Sequence, residues 1–289
     1  MLWLFLGLAA ALGDAGSDAL TKRFFSHLSP YTMGLVRLIY AAPFLILTLL
    51  FLMRPSLDRT FWQVVAVMLP LEVIATLLYM KALKVSHLSL SIPFLAFTPV
   101  LMIFTGWVLL GEALNCWGIL GTLLIAGGSY ILSLGMAHQG FWAPLKALAR
   151  ESGPRLMLTV AVIYSCTASL FKVAILHSQA TFFGASYLLA LTVVMLAGYP
   201  LTTAKLRPAF KSHVGWGVAL GFAIAVSVLS LAHGLTRAPA TYLIAVKRLS
   251  FLISVVLGGL WLKERPFLPR LAGAALMCAG VILIALRGG

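Results

Sequence analysis

The stretch Thr241–Glu264, TYLIAVKRLSFLISVVLGGLWLKE, decides how this chain is read. It is long and apolar enough to cross a bilayer, which takes about 20 helical residues. Yet Lys247 and Arg248 stand side by side inside it. A charged side chain at the bilayer centre costs at least ~2.5 kcal/mol, so two adjacent cations require carboxylate partners, a polar cavity or a ligand. Neighbouring positions on a helix point about 100° apart, so one cavity reaches both only where the helix borders it broadly. Two roles are open: ion pairs that hold helices together, and capture of an anionic substrate. The second is the expectation, because charge inside a membrane marks functional sites by default.

The rest of the chain agrees with a membrane setting. Of its 289 residues, 62% are hydrophobic and only 10% charged, which is an integral-membrane composition. A net charge of +14 would point to nucleic acid in a soluble protein. Here most Lys and Arg lie in short loops between apolar spans, so they read as topology signals and no nucleic-acid partner is expected. Cys116, Cys166 and Cys278 all lie in apolar segments, with no C-x-x-C and no His/Cys cluster. Neither a disulfide framework, a metal site nor a cofactor is expected. The apolar run Met1–Leu12 has no Lys or Arg before it, and reads as the start of a spanning helix rather than a signal peptide.

Ten spans of helical length are expected: Leu2–Thr21, Tyr31–Met53, Phe61–Tyr79, Leu88–Leu110, Ala113–Leu134, Leu156–His177, Thr181–Thr203, Val214–Gly234, Ala238–Leu262 and Phe267–Leu286. Connections are short except for a basic segment around Met136–Arg155.

Several spans carry ionisable groups. Asp14, Asp18 and Lys22 recur every four residues and share a helix face, so Asp18 is expected to pair with Lys22. Asp14 then looks into the bundle, where Arg37 of the second span is its expected partner. Glu72 is alone on its helix and either carries a proton in a coupled transporter or pairs with an in-span cation. Pro93 and Pro99 free backbone carbonyls in the fourth span, which is tolerated beside a cavity or another helix. Glu112 and Glu264 each precede a new helix and are assigned as helix caps. The glycines and alanines after them (Gly118, Gly121, Gly127, Gly128; Gly273, Ala274, Ala275, Gly280) suit close helix packing.

The chain also repeats itself. A shift of 152 superposes Glu112 on Glu264, Gly121 on Gly273, Gly128 on Gly280 and Ile92 on Ile244. Near the start of each half the shift is 150, placing Lys22 on Lys172 and Gly34 on Gly184. The halves are residues 1–135 and 156–289, joined by a loop at 136–155. Five spans per half force the second half to sit upside down. Inverted repeats are the signature of alternating-access transporters, with the site near the midplane between the halves. With the N-terminus outside, 13 of the loop cations fall on the cytoplasmic side and only Arg54, Arg59, Arg237 and Arg287 outside. Both termini are therefore expected to be non-cytoplasmic.

Pro99, Gly111-Glu112, Gly121 and Gly128, with Lys263-Glu264, Gly273 and Gly280 in the second half, make the sequence resemble the drug/metabolite transporter superfamily in its ten-helix EamA-type form. The resemblance covers nearly the full chain. It implies a basket in which spans 1–4 and 6–9 surround the cavity while spans 5 and 10 support it. More narrowly, Lys247-Arg248 resembles the Lys-Arg pair that binds substrate phosphate in plastid sugar-phosphate translocators. A further lysine of those proteins falls here on Leu95, which the 152 shift pairs with Lys247.

The expectation is an all-α polytopic membrane protein, ten transmembrane helices in two inverted five-helix repeats, and not an enzyme. It reads as a bacterial inner-membrane permease for a small organic metabolite, anionic or phosphate-bearing. Lys247 and Arg248 are assigned to the substrate's charge. Tyr242 and Tyr79, with other aromatics near the cavity, are assigned to its organic body. Asp14, Asp18, Arg37 and Glu72 are assigned to coupling or ion pairing. In-span carboxylates are few, so at least one cation is expected to lack a protein partner. A proton-coupled exporter of amino acids or cationic compounds remains open, as does a membrane scaffold or lipid-handling protein. The expected partners are the substrate and the lipid bilayer, and a homodimer is compatible with the sequence.

Overall fold

The computed structural model describes residues 1–53, 55–85, 94–137, 146, 148, 150–199, 213–253 and 268–288, the side chains of 133–137 and 268–271 excepted. Among the described residues there are ten α-helices and no strand. They are α1 (Leu2–Leu20), α2 (Pro30–Leu50), α3 (Arg59–Val85), α4 (Thr98–Leu110), α5 (Cys116–Ala137), α6 (Ser152–Leu176), α7 (Ala180–Gly198), α8 (Val214–Leu235), α9 (Ala240–Lys247) and α10 (Leu268–Arg287). A π-helical turn, Thr21–Phe25, extends α1. By length and composition, α2, α3, α6, α7 and α8 are each able to cross a membrane.

Local chemistry explains where helices begin and end. Ser29 precedes Pro30, and its Oγ accepts the Thr32 N–H at 3.2 Å, so a side-chain cap and a preset proline φ start α2. Asp58 Oδ1 accepts the Phe61 N–H at 2.8 Å at the start of α3. Its Oδ2 lies 2.7 Å from His177 Nδ1, just beyond α6. The Phe61 N–H first, and His177 after it, hold the Asp58 carboxyl below the usual carboxylate range. Gly111, at φ +67°, closes α4 in a conformation that costs glycine nothing.

Two of the expected spans are interrupted. The fourth turns at Ala96–Phe97 before α4 begins, and its residues 88–93, Pro93 included, lie outside the described residues. The ninth is helical to Lys247, turns at Arg248–Leu249 and resumes over Ser250–Ile253; residues 254–262 lie outside the described residues. The 152 shift superposes the two turns. At each of them, bonding to the fourth residue back gives way to bonding to the third. Phe97 N–H donates to Phe94 C=O at 3.2 Å, and Leu249 N–H to Val246 C=O at 2.9 Å. Such breaks at matching positions of inverted repeats open backbone toward a midplane site.

The packing follows the same pseudo-twofold relation. The first helix of each half packs against the third of the other, α1 on α8 and α6 on α3. Likewise α4 meets α6 and α9 meets α1, while α2 pairs with α7 and α5 with α10. The halves interleave because each lends helices to the other. At the α5–α10 contact the superposed glycines face one another. A Cβ on Gly121 would stand 2.8 Å from the Gly280 carbonyl oxygen, and one on Gly128 would stand 2.7 Å from that of Gly273. Close backbone approach there needs residues without side chains.

Candidate functional site

Inside the basket lies a cavity of about 240 Å³, walled by spans 1–4 and 6–9. Among the described residues, α5 and α10 contribute nothing to its wall, the arrangement that the resemblance implies. Its volume falls below the ~300–1,000 Å³ of sites for drug-sized molecules, which suits a small metabolite.

Six charged side chains line the cavity: Asp14, Asp18, Arg37, Glu72, Lys247 and Arg248. Three are acids and three are bases, so the charges of the described wall residues sum formally to zero. Four of the six form two ion pairs. Lys247 Nζ lies 2.9 Å from Asp14 Oδ2, while Ser227 Oγ of α8 donates to Asp14 Oδ1 at 2.5 Å. Arg37 donates to Asp18 Oδ1 at 2.8 Å, to Thr21 Oγ1 at 2.9 Å and to Ser17 Oγ at 3.1 Å. The Tyr79 hydroxyl donates to Asp18 Oδ2 at 3.0 Å.

Two expected pairings are thereby corrected. Asp14 takes Lys247 rather than Arg37, and Asp18 takes Arg37 and Tyr79 rather than Lys22. The reason lies in how α1 packs: it touches both α8 and α9, and Asp14 meets Ser227 of the one and Lys247 of the other. Arg37 on α2 meets Asp18, together with Ser17 and Thr21 of the same stretch.

The remaining two charges are single. Arg248 is 7% exposed, its Nε has no hydrogen-bond partner, and no carboxylate of the described residues lies within 4.0 Å of it. Its guanidinium stands 5.8 Å from the centre of the Phe251 ring. Glu72 likewise has no cation within 4.0 Å among the described residues. The hydroxyls of Tyr187 and Thr167 are its polar neighbours. Tyr164, also on the cavity wall, is electrostatically coupled to both Glu72 and Arg248. The expectation of one cation without a protein partner thus falls on Arg248 and not on Lys247.

Tyr79 is on the cavity wall, but Tyr242 is not: it is buried behind α9, and its hydroxyl donates to Gly288 C=O at 2.8 Å. A Cβ on Gly118 would meet that hydroxyl at 1.8 Å, so Tyr242 is a packing residue against α5. Glu112 does act as a cap, but for another helix than expected. Its Oε2 accepts the Ala240 N–H at 2.8 Å and its Oε1 pairs with Lys172 Nζ, so it caps α9 of the opposite half and not α5. Glu264 lies outside the described residues. Sequence reasoning missed Ser17, Ser227 and Thr167 on the cavity wall, and Thr21, which accepts a hydrogen bond from Arg37. Ser17 and Thr21 were signalled by their place among Asp14 and Asp18 on one helix; Ser227 had no such signal.

A sequence model of the EamA-like transporter family matches residues 1–134 and again residues 152–286. No curated protein matches the chain. One crystal structure of another protein superposes with a TM-score of 0.77, over 99% of this chain and 98% of that one, at 17% identity. At that identity the likeness speaks for the fold alone.

Proposed function

The chain belongs to the EamA-like transporter family, and on that premise we propose that it carries a small organic metabolite whose anionic group docks at Arg248. The family is one of membrane transporters, and the helices are those of a multi-pass membrane protein. The finer reading rests on one observation: a buried guanidinium faces the cavity with no carboxylate of the described residues within 4.0 Å of it. An unpaired buried charge is retained against its desolvation cost when a ligand completes it. A guanidinium offers two parallel N–H donors, the geometry of a carboxylate or phosphate edge. One unpaired cation suits a carboxylate better than a dianionic phosphate. Leu95, which takes the place of a third cation, lines the same cavity.

Glu72 supports a second reading. A cavity carboxylate with no cation within 4.0 Å among the described residues suits a proton carrier, or a seat for an amine on the substrate. Purified protein in liposomes separates the two. Anion counterflow that ignores an imposed pH gradient favours the first, gradient-driven efflux favours the second, and no flux of any metabolite contradicts both.

The loop cations support an inner-membrane orientation with both termini outside the cytoplasm. A C-terminal reporter that is active only in the cytoplasm is expected to stay silent after Gly289. Activity there would invert the assignment.

A further inference from the structure

We propose that Glu112 is a positioning residue for Lys247 and Arg248, acting across the boundary between the two halves. The chain reaches it through Gly111, whose φ of +67° turns the backbone so that Glu112 N–H returns to Gly106 C=O at 3.2 Å. From there the side chain crosses to the second half. Its Oε2 takes the Ala240 N–H, and its Oε1 takes Lys172 Nζ. Lys172 Nζ in turn donates to Ala238 C=O at 2.7 Å. Glu112 and Lys172 therefore grip the backbone on both sides of Pro239. The two side chains are only 15% and 13% exposed.

What they grip is the start of α9, an eight-residue helix that ends in Lys247 and is followed at once by the turn at Arg248–Leu249. From Ala240 to Arg248 is about 12 Å at 1.5 Å per residue. The span is broken just beyond the cations, so the register of α9 is set at its capped end together with the Lys247–Asp14 pair. A shift of its first turn carries Lys247 and Arg248 with it. Thr241 Oγ1, which donates to Met102 C=O at 3.1 Å, fastens the same turn to α4. The cavity cations of one half are thus placed by a carboxylate of the other. This takes from the proposed function only that Arg248 is the substrate cation, and it is testable without a known ligand.

The test uses the full-length protein with Cys116, Cys166 and Cys278 replaced by serine and Thr76→Cys as a reporter on the cavity wall. The probes are an anionic (sulfonatoethyl) and a cationic (trimethylammonioethyl) methanethiosulfonate. The readout is the ratio of their labelling rates. Arg248→Ala sets the scale and is expected to lower the anionic-to-cationic ratio about tenfold, since charge lining a cleft focuses ions of opposite sign. Glu112→Ala is expected to lower it by at least half as much. Glu112→Gln, whose amide oxygen still accepts the Ala240 N–H, is expected to leave it within about twofold. The sign is diagnostic, because merely deleting a negative charge would raise the ratio in both variants. Ala240→Pro removes the N–H at a first-turn position that tolerates proline, keeps the Glu112–Lys172 pair, and is expected to act like Glu112→Ala. An unchanged or raised ratio in Glu112→Ala and Ala240→Pro, or an equal fall in Glu112→Gln, overturns the proposal. Failure of the transport assays would leave these ratios standing, and unchanged ratios would leave transport standing.

Discussion

Lys247→Ala is expected to cost the unliganded protein about 2–3 kcal/mol of stability, although Lys247 lines the central cavity. Its ammonium lies 2.9 Å from Asp14, with the two side chains 19% and 27% exposed. Removing it leaves Asp14 with the Ser227 hydroxyl and no counter-charge. Breaking a fully buried pair costs about 3–5 kcal/mol, and partial access to the cavity moves this case to the low end or below. Replacing both partners, as in Asp14→Asn with Lys247→Met, leaves no orphan charge and is expected to recover most of the loss. Thermal unfolding of the single and double variants in detergent checks this. A single variant as stable as the wild type would mean that the pair does not hold α1 to α9.

Arg248→Met is expected to do the opposite. The guanidinium is buried, its Nε is unpartnered, and no described carboxylate lies within 4.0 Å of it. An apolar side chain of similar length removes that desolvation burden, so the unliganded protein should melt at the wild-type temperature or above. Affinity for an anionic substrate should fall about 10- to 100-fold, the size of a lost charge-assisted hydrogen-bonded contact of roughly 1.5–3 kcal/mol. The two neighbours in sequence therefore separate: one variant loses stability, the other loses ligand. A large drop in melting temperature for Arg248→Met would show that the side chain is a structural tie.

Much of the fold was legible in the chain because it is written in period and repetition. The 152-residue shift placed Gly121 and Gly128 on Gly273 and Gly280, and those four glycines form the α5–α10 contact. Lys247 and Arg248 announced a polar cavity because hydrocarbon cannot hold them unaided. The pairings were not legible. A four-residue spacing says that Asp14 and Asp18 share a face, but not which helices that face meets. Partner choice waited on α1 packing between α8 and α9. Glu112 read as a cap because a carboxylate beside free N–H groups is stable wherever they are. Its own sequence could not say that the N–H groups belong to α9, more than a hundred residues on. Tyr242 looked like a cavity aromatic because an amphipathic ring near a charged pair suits either role. Only its hydroxyl bond to Gly288 decides for packing.

The central claim is that Arg248 is the seat of the substrate's anionic group. It is tested most directly by a thermal-stabilisation screen of small metabolites, grouped as anions, cations, zwitterions and neutral compounds, run in parallel on the wild type and on Arg248→Met. A ligand at 100 times its dissociation constant stabilises by about 2.7 kcal/mol, well within reach of a melting curve. The account predicts that stabilising compounds carry a carboxylate or phosphate and lose their effect in Arg248→Met, whose unliganded melting temperature is unchanged or higher. Stabilisation by cations alone, or by anions equally in both proteins, would contradict it.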